Sequence, residues 1–279
     1  MVIQARMMNN DLYKYRAYLK IIEENTGYDF SGYSLESVNA KLRNFISLEC
    51  IGSAEDLKEK VDSNKTFQNR LLENLLVGYT EMFRDPGFYS SLRQNVLPNL
   101  STFNNICIWH AGCATGEEAY SLAILLEELN LLERCEIYAT DINESHLKNA
   151  TRGIYPLASM QESTARYYKS GGKKNLSNYY TAYYDHIIFH HHLRDHIKFV
   201  LHDMVEDKPL KQFHLILCRN VFIYFNNGLQ QNVLQSLLNS LTNYGYFGMG
   251  VKEQFVDTTK FDLTVIDNQM KIFRKVSKL

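Results

Sequence analysis

From Ile106 onward the chain alternates short apolar runs with amphipathic ones, and this rhythm restricts the fold more than any other feature of the sequence. "ICIWHA" reads as a strand, and "GEEAYSLAILLEEL" as a helix with Ala119, Leu122, Ala123, Leu126 and Leu129 along one face. The strand "CEIYATD" and the helix "NESHLKNATRG", closed by Gly153, repeat the pattern. "HIKFVLHD" is a further strand, "FHLILCRNVFIYF" a strand running into a loop, and "GLQQNVLQSLLNSL" a helix. "GYFGMGV" and "MKIFRKV" end the pattern as two strands. Parallel strands need crossovers, and the helices supply them, so the alternation predicts an α/β fold with a mostly parallel sheet covered on both faces. The last connection lets the final strand return antiparallel.

The first 77 residues follow a different pattern. Leu12, Tyr15, Leu19 and Ile22 recur at helical spacing, as do Leu35, Val38, Leu42, Phe45 and Ile46, and then Phe67, Leu71, Leu72, Leu75 and Leu76. This predicts an all-α domain over 1–77, followed by an α/β domain over 78–279. In "YTEMFRDPGFYSSLRQNVLPNL", Asp85 is expected to cap a helix that has Pro86 at its first position and stops at Pro98. Residues Pro156 to Phe189 interrupt the alternation with glycines, lysines and tyrosines, and read as an inserted β-hairpin after a flexible loop.

The formal net charge of −1 leaves no basic excess for nucleic acid. The 19 tyrosines cluster around Tyr155 to Tyr184 without interleaved arginine, which gives little support for base stacking. Five cysteines, with no C-x-x-C pair, fit a reduced compartment. The opening "MVIQARMMNN" lacks the apolar core of a signal peptide, and no apolar run approaches the ~20 residues of a membrane span. A cytoplasmic protein is therefore expected.

"HAGCATGEEAYSLA" sits at the carboxyl end of the first strand, where open α/β sheets bind ligands. Its glycines, Gly112 and Gly116, are spaced G-x-x-x-G, and Glu117 and Glu118 open the helix. Acids there repel phosphate and suit a cationic ligand without one, such as S-adenosylmethionine, which carries an ammonium and a sulfonium. Thr115 and Glu118 also fit a capping box, which would need no ligand at all. Asp141 ends the second strand, where a nucleoside-binding fold places an acid for the ribose hydroxyls; it could instead simply cap the next helix. The loop and the acid together point to a nucleoside ligand without excluding NAD. The antiparallel ending favours a methyltransferase over a dehydrogenase.

Four stretches, "TEMFRDP", "AGCATGEEAYSLA", "YATDIN…RGIY" and "LILCRNVFIYF", resemble in order and spacing the CheR chemotaxis receptor methyltransferases. The resemblance runs from about Asn10 to the end of the chain. It implies a class I methyltransferase fold, Rossmann-like, with a small β-subdomain inserted at about 156–200 and a helical domain in front. It also implies methyl transfer from S-adenosylmethionine to glutamate side chains of chemoreceptors, giving glutamyl methyl esters and S-adenosylhomocysteine. In some members the inserted subdomain docks a receptor tail peptide. Carried over by motif, the cofactor residues are Thr80, Arg84, Gly112, Gly116, Glu118, Asp141, Asn220 and Val221, with Asp203 and Met204 of "LHDMVED" beside adenine. Arg84 and Tyr224 fall at the reacting centre. Ordinary alternatives are a surface ion pair of Arg84 with Asp85 or Glu81, and packing of Tyr224 at a strand end.

The chain departs from the family at Gly78, where many members have asparagine, at Ala119 in place of proline, and at Val251 and Lys252 in "GVKEQF". Residues 1–77 carry ten basic and eleven acidic side chains, which predicts weak steering toward an acidic receptor. "DHIIFHHHLRDH" resembles a metal site, but solvated hairpin histidines account for it, and no metal is expected. Cys113 and Cys218 are expected to be small packing residues. A non-enzymatic sensor of S-adenosylmethionine or S-adenosylhomocysteine, and a methyltransferase for another protein substrate, are the alternatives to the receptor enzyme.

Overall fold

A computed structural model describes residues 15–76, 78, 80–208, 210–254 and 260–276. They divide into two compact units, one formed by residues 15–76 with Ile223–Gln230, the other by 78–222 and 231–276.

Residues 15–76 of the first unit hold four helices, α1 (Arg16–Thr26), α2 (Leu35–Leu48), α3 (Ala54–Ser63) and α4 (Lys65–Leu75). Ile22, Val38, Leu42, Phe45, Phe67, Leu71 and Leu75 are buried, as the helical stripes predict, while Leu12 lies outside the described residues. Helix α3 carries only Leu57 and Val61 inward, too few apolar residues to announce itself in the sequence. It is fixed at its ends instead: Ser53 Oγ accepts the Asp56 N–H at 3.2 Å, and Asn64 Oδ1 starts α4 by accepting the Phe67 N–H at 3.0 Å. Ile223–Gln230 packs with these helices, although it follows a strand of the sheet in sequence. The Ser34 N–H donates to the Tyr224 carbonyl at 2.8 Å, the Asn226 N–H to Gly32 at 2.9 Å, and the Tyr33 and Phe225 rings meet edge to face at 5.3 Å.

The second unit begins with α5 (Pro86–Ser91). Asp85 precedes it at φ +54°, and its carboxylate makes no capping bond, because Arg219 takes it. Pro98 does not stop the run. A widened π turn over Leu92–Val96, in which Leu97 N–H reaches back to Leu92, leads into α6 (Leu97–Leu100) with the proline inside it. There follow β1 (Ile106–Ala111), α7 (Glu117–Glu128), β2 (Cys135–Asp141), α8 (Glu144–Arg152), β3 (Ile154–Pro156), α9 (Met160–Lys169), β4 (Tyr180–Tyr183), β5 (His186–Phe189), α10 (His191–Arg194), β6 (Ile197–Leu201), β7 (Phe213–Cys218), α11 (Asn227–Asn239), β8 (Leu241–Met249), β9 (Leu263–Asp267) and β10 (Ile272–Lys275).

Seven strands form one sheet in the order β6-β2-β1-β7-β8-β10-β9. The first five run parallel, and β10 is antiparallel to both β8 and β9. This is the Rossmann-like sheet with an antiparallel end expected of class I methyltransferases. Strand β9 was not foreseen, because it is an edge strand whose Val265 stays exposed and whose pattern is weak. The insertion is a three-stranded sheet, β3-β5-β4, and not a hairpin alone; its third strand, β3, begins at Ile154, ahead of the expected boundary. Strand β1 is central and buried, with Ile108 opposite Ile137 and Leu215. The loop after β1 therefore opens at the middle of the sheet's carboxyl edge, where the loops after β2 and β7 also emerge.

Candidate active site

Gly112 and Gly116 have φ of +74° and +94°, which side chains rarely tolerate. Close approach demands glycine as well. A Cβ on Gly112 would lie 2.5 Å from Val221 Cγ2 and 3.6 Å from Met204 Cε, and one on Gly116 would lie 2.8 Å from Ala150 Cβ. Three residues expected at the cofactor, Gly112, Met204 and Val221, thus converge. Asp141 ties the loop down: Oδ2 accepts the Ala114 N–H at 2.8 Å and Oδ1 the Asn143 N–H at 2.9 Å. The acid at the end of β2 therefore shapes the glycine loop.

The capping box does not form. Gly116 is the N-cap of α7, and Thr115 Oγ1 donates to Glu117 Oε2 at 2.7 Å. The two adjacent acids diverge. Glu118 is buried on the Arg219 guanidinium and accepts the Tyr89 hydroxyl at 3.3 Å, with His110 Nε2 3.8 Å away. Arg219 also donates to Asp85 Oδ2 at 2.8 Å and to the Arg84 carbonyl at 3.0 Å, and lies 4.1 Å over the Phe88 ring. Burial opposes the charge on Arg219, but Glu118, Tyr89 and Asp85 outweigh it and raise its pKa. Burial also drives His110 toward its neutral form. Sequence reasoning did not single out Arg219, although it adjoins Asn220 in "LCRN". Glu117 instead lines a cavity of about 310 Å³ with Gly78, Thr80, Thr115, Met160 and Arg166. Burial pushes its pKa up to about 7.

Arg84 is half-buried, and among the described residues its guanidinium forms no hydrogen bond or ion pair. Its two obvious partners are taken, Asp85 by Arg219 and Glu81 by Arg166 at 3.5 Å. Among the described residues, Thr80 Oγ1 and Asn220 Oδ1 are buried with no hydrogen-bond partner, the latter on a backbone at φ +60°. Buried polar atoms are nearly always satisfied, so these orphans fit a ligand that supplies donors and acceptors. Asp203 is more exposed and closes its own turn, accepting the Val205 N–H at 2.7 Å. Tyr224 belongs to the helical unit, where Lys41 Nζ lies 4.6 Å from its ring centroid. Burial lowers the Lys41 pKa to about 8.

Cys113 and Cys218 are buried, and burial raises both thiols well above their usual range. Histidines expected on a hairpin lie after β5 instead, His191 and His192 on α10 and His196 just before β6, and they pair separately, His191 with Asp195 at 3.0 Å, His192 with Glu127 at 2.9 Å and His196 with Glu133 at 3.6 Å. Among the described residues no cluster of three or more metal-ligating side chains occurs.

Residues 78–270 match the family model described as CheR methyltransferase, SAM binding domain. The chain is 38% identical over 270 residues to Cher3 of Pseudomonas putida, named as a methyltransferase, covering 96% of this chain and 98% of that one. It is 25% identical over 262 residues to a chemotaxis protein methyltransferase of Listeria monocytogenes, covering 91% and 95%. With chemotaxis protein methyltransferase 1 of Pseudomonas aeruginosa it shares 24% identity over 261 residues, covering 88% and 90%. The glycine loop tied to Asp141 at the carboxyl edge of the sheet lies within the matched residues, and the chain belongs to the CheR methyltransferase family, whose cofactor is S-adenosylmethionine.

Proposed function

We propose that this protein methylates glutamate carboxylates on the cytoplasmic helices of chemoreceptors, acting in the cytoplasm. Among the described residues no helix is long and apolar enough to cross a membrane. S-adenosylmethionine brings an electrophilic methyl on a sulfonium, and its transfer to a carboxylate oxygen leaves S-adenosylhomocysteine. A carboxylate is already a nucleophile at neutral pH, so the protein needs no strong base. Its task is alignment, which can supply about 7–11 kcal/mol of such a barrier.

In this reading the tight loop from Gly112 to Gly116, packed against Val221 and Ala150, lies along the cofactor with Val221 beside it, and Asp141 takes the ribose hydroxyls. Thr80, Asn220, Asp203 and Met204 complete the nucleoside contacts. Glu118, charge-compensated by Arg219, faces the ammonium end. The observation that carries the reading is Arg84: a half-buried guanidinium that forms no hydrogen bond or ion pair among the described residues, its two neighbouring acids being taken by Arg219 and Arg166. A planar fork of this kind suits the cofactor's carboxylate. Tyr224 follows Val221 by three positions and is assigned to the reacting carboxylate. The test is methyl transfer from labelled S-adenosylmethionine to receptor-containing membranes, scored as base-labile label. Arg84→Ala and Tyr224→Phe should each slow transfer at least tenfold with the fold intact. Label absent from wild-type reactions, with cofactor binding confirmed, would favour the sensor or another protein substrate.

A further inference from the structure

His146 lies on α8, in a place that the sequence motifs leave unassigned. It is buried, with 8% exposure, and its ring occupies the space that a side chain at position 78 would fill: a Cβ on Gly78 would lie 2.2 Å from His146 Nε2. The glycine that departs from the family's asparagine is thus matched by a histidine entering from another element.

The hydrogen bonds around the ring settle its tautomer. Asn143 caps α8 with its Oδ1, which accepts the Ser145 N–H at 2.9 Å and the His146 N–H at 3.4 Å. That fixes the amide orientation, so Asn143 Nδ2 is the atom that meets His146 Nε2 at 3.3 Å. A donating amide makes Nε2 the acceptor and puts the ring proton on Nδ1. Nδ1 is buried without a hydrogen-bond partner and stands 3.5 Å from Asp141 Oδ1. A buried, unpartnered N–H beside the acid expected to take the ribose is costly unless the ligand-bound state uses it.

We propose that His146 is a cofactor-positioning residue: seated against Gly78 and held in its Nδ1–H form by Asn143, it closes its 3.5 Å approach to Asp141 into a hydrogen bond when the cofactor binds and orients the carboxylate toward the ribose hydroxyls. The inference rests on Asp141 being the ribose acid. Asp141 then has three protein donors, the backbone N–H groups of Ala114 and Asn143 and the imidazole. Its remaining lone pairs are left for the ligand.

The test is calorimetric affinity for S-adenosylhomocysteine and for its 2′,3′-dideoxyribose analogue. His146→Ala should lose about tenfold for S-adenosylhomocysteine and almost nothing for the analogue. His146→Asn, whose amide places a donor near Nδ1, should recover most of the loss, whereas His146→Gln should not. Gly78→Ala should weaken binding by forcing the ring away, and should cost nothing further in the His146→Ala background; this arm holds even if one variant folds poorly. Equal losses for both ligands, or wild-type affinity in His146→Ala while Asp141→Ala is impaired, would overturn the proposal alone. Unimpaired affinity in Asp141→Ala would remove the ribose reading on which it rests.

Discussion

Replacing Glu117 by glutamine isolates the strain built into the mouth of the glycine loop. Glutamine keeps the acceptor for Thr115 Oγ1 and the volume, but it cannot ionise. The native pKa is about 7 against 4.5 for an ordinary carboxyl, mainly because the group is buried, with the neighbouring Glu118 adding to the effect. Below about pH 4.5 the carboxyl is neutral in both folded and unfolded chains and costs nothing. As pH rises through 4.5 toward 7 the unfolded chain sheds the proton first, so the native state loses ground. Above pH 7 the full penalty is in place, about 3 kcal/mol from that shift. Urea unfolding of wild type and Glu117→Gln should therefore give similar stabilities near pH 4.5 and a variant more stable by roughly 3 kcal/mol at pH 8. Saturating S-adenosylmethionine, whose cationic groups favour the ionised acid, should narrow the gap. A stability difference that stays constant from pH 4.5 to 8 would refute the reasoning, because burial would then not be holding the proton on.

Gly112→Ala should lower stability by about 1–3 kcal/mol and weaken cofactor binding, since the new Cβ meets Val221 on a backbone suited to glycine; thermal unfolding with titration calorimetry checks both. Arg219→Leu leaves Glu118 buried without its ion partner and should cost about 3–5 kcal/mol in urea unfolding, with part of the loss restored by adding Glu118→Gln. Lys41→Met tests the cation over Tyr224. The lysine pKa is depressed to about 8 from 10.5, so its charge weighs against folding most strongly below pH 8. Wild type should gain stability relative to the variant as pH rises from 7 to 10.5, and a pH-independent difference would contradict the assignment.

The α/β rhythm was legible because the central strands β1, β2 and β7 are buried almost throughout and the crossover helices show apolar stripes, and those patterns are local. Strand β9 and helix α3 escaped for the opposite reason: an edge strand and a helix with two inward residues carry little periodicity. Glu118 was read as a cofactor or capping acid and Asp85 as a helix cap, and neither was matched to Arg219 because it lies more than a hundred residues away in sequence. The packing of His146 was invisible too, since nothing in "NESHLKNA" reveals that its ring fills the space over Gly78.

The sequence alone determined the class of fold and the chemistry of its loop. Glycines at 112 and 116, acids at the helix start and Asp141 at a strand end are properties of single residues and their spacing. Tertiary structure decided that Glu118 pairs with Arg219 while Glu117 lines the cavity, that Arg84 has no partner among the described residues, and that Ile223–Gln230 returns to the helices. The physical reason is that hydrogen bonds and ion pairs form between side chains brought together across the fold, and neither spacing nor composition records which partners meet.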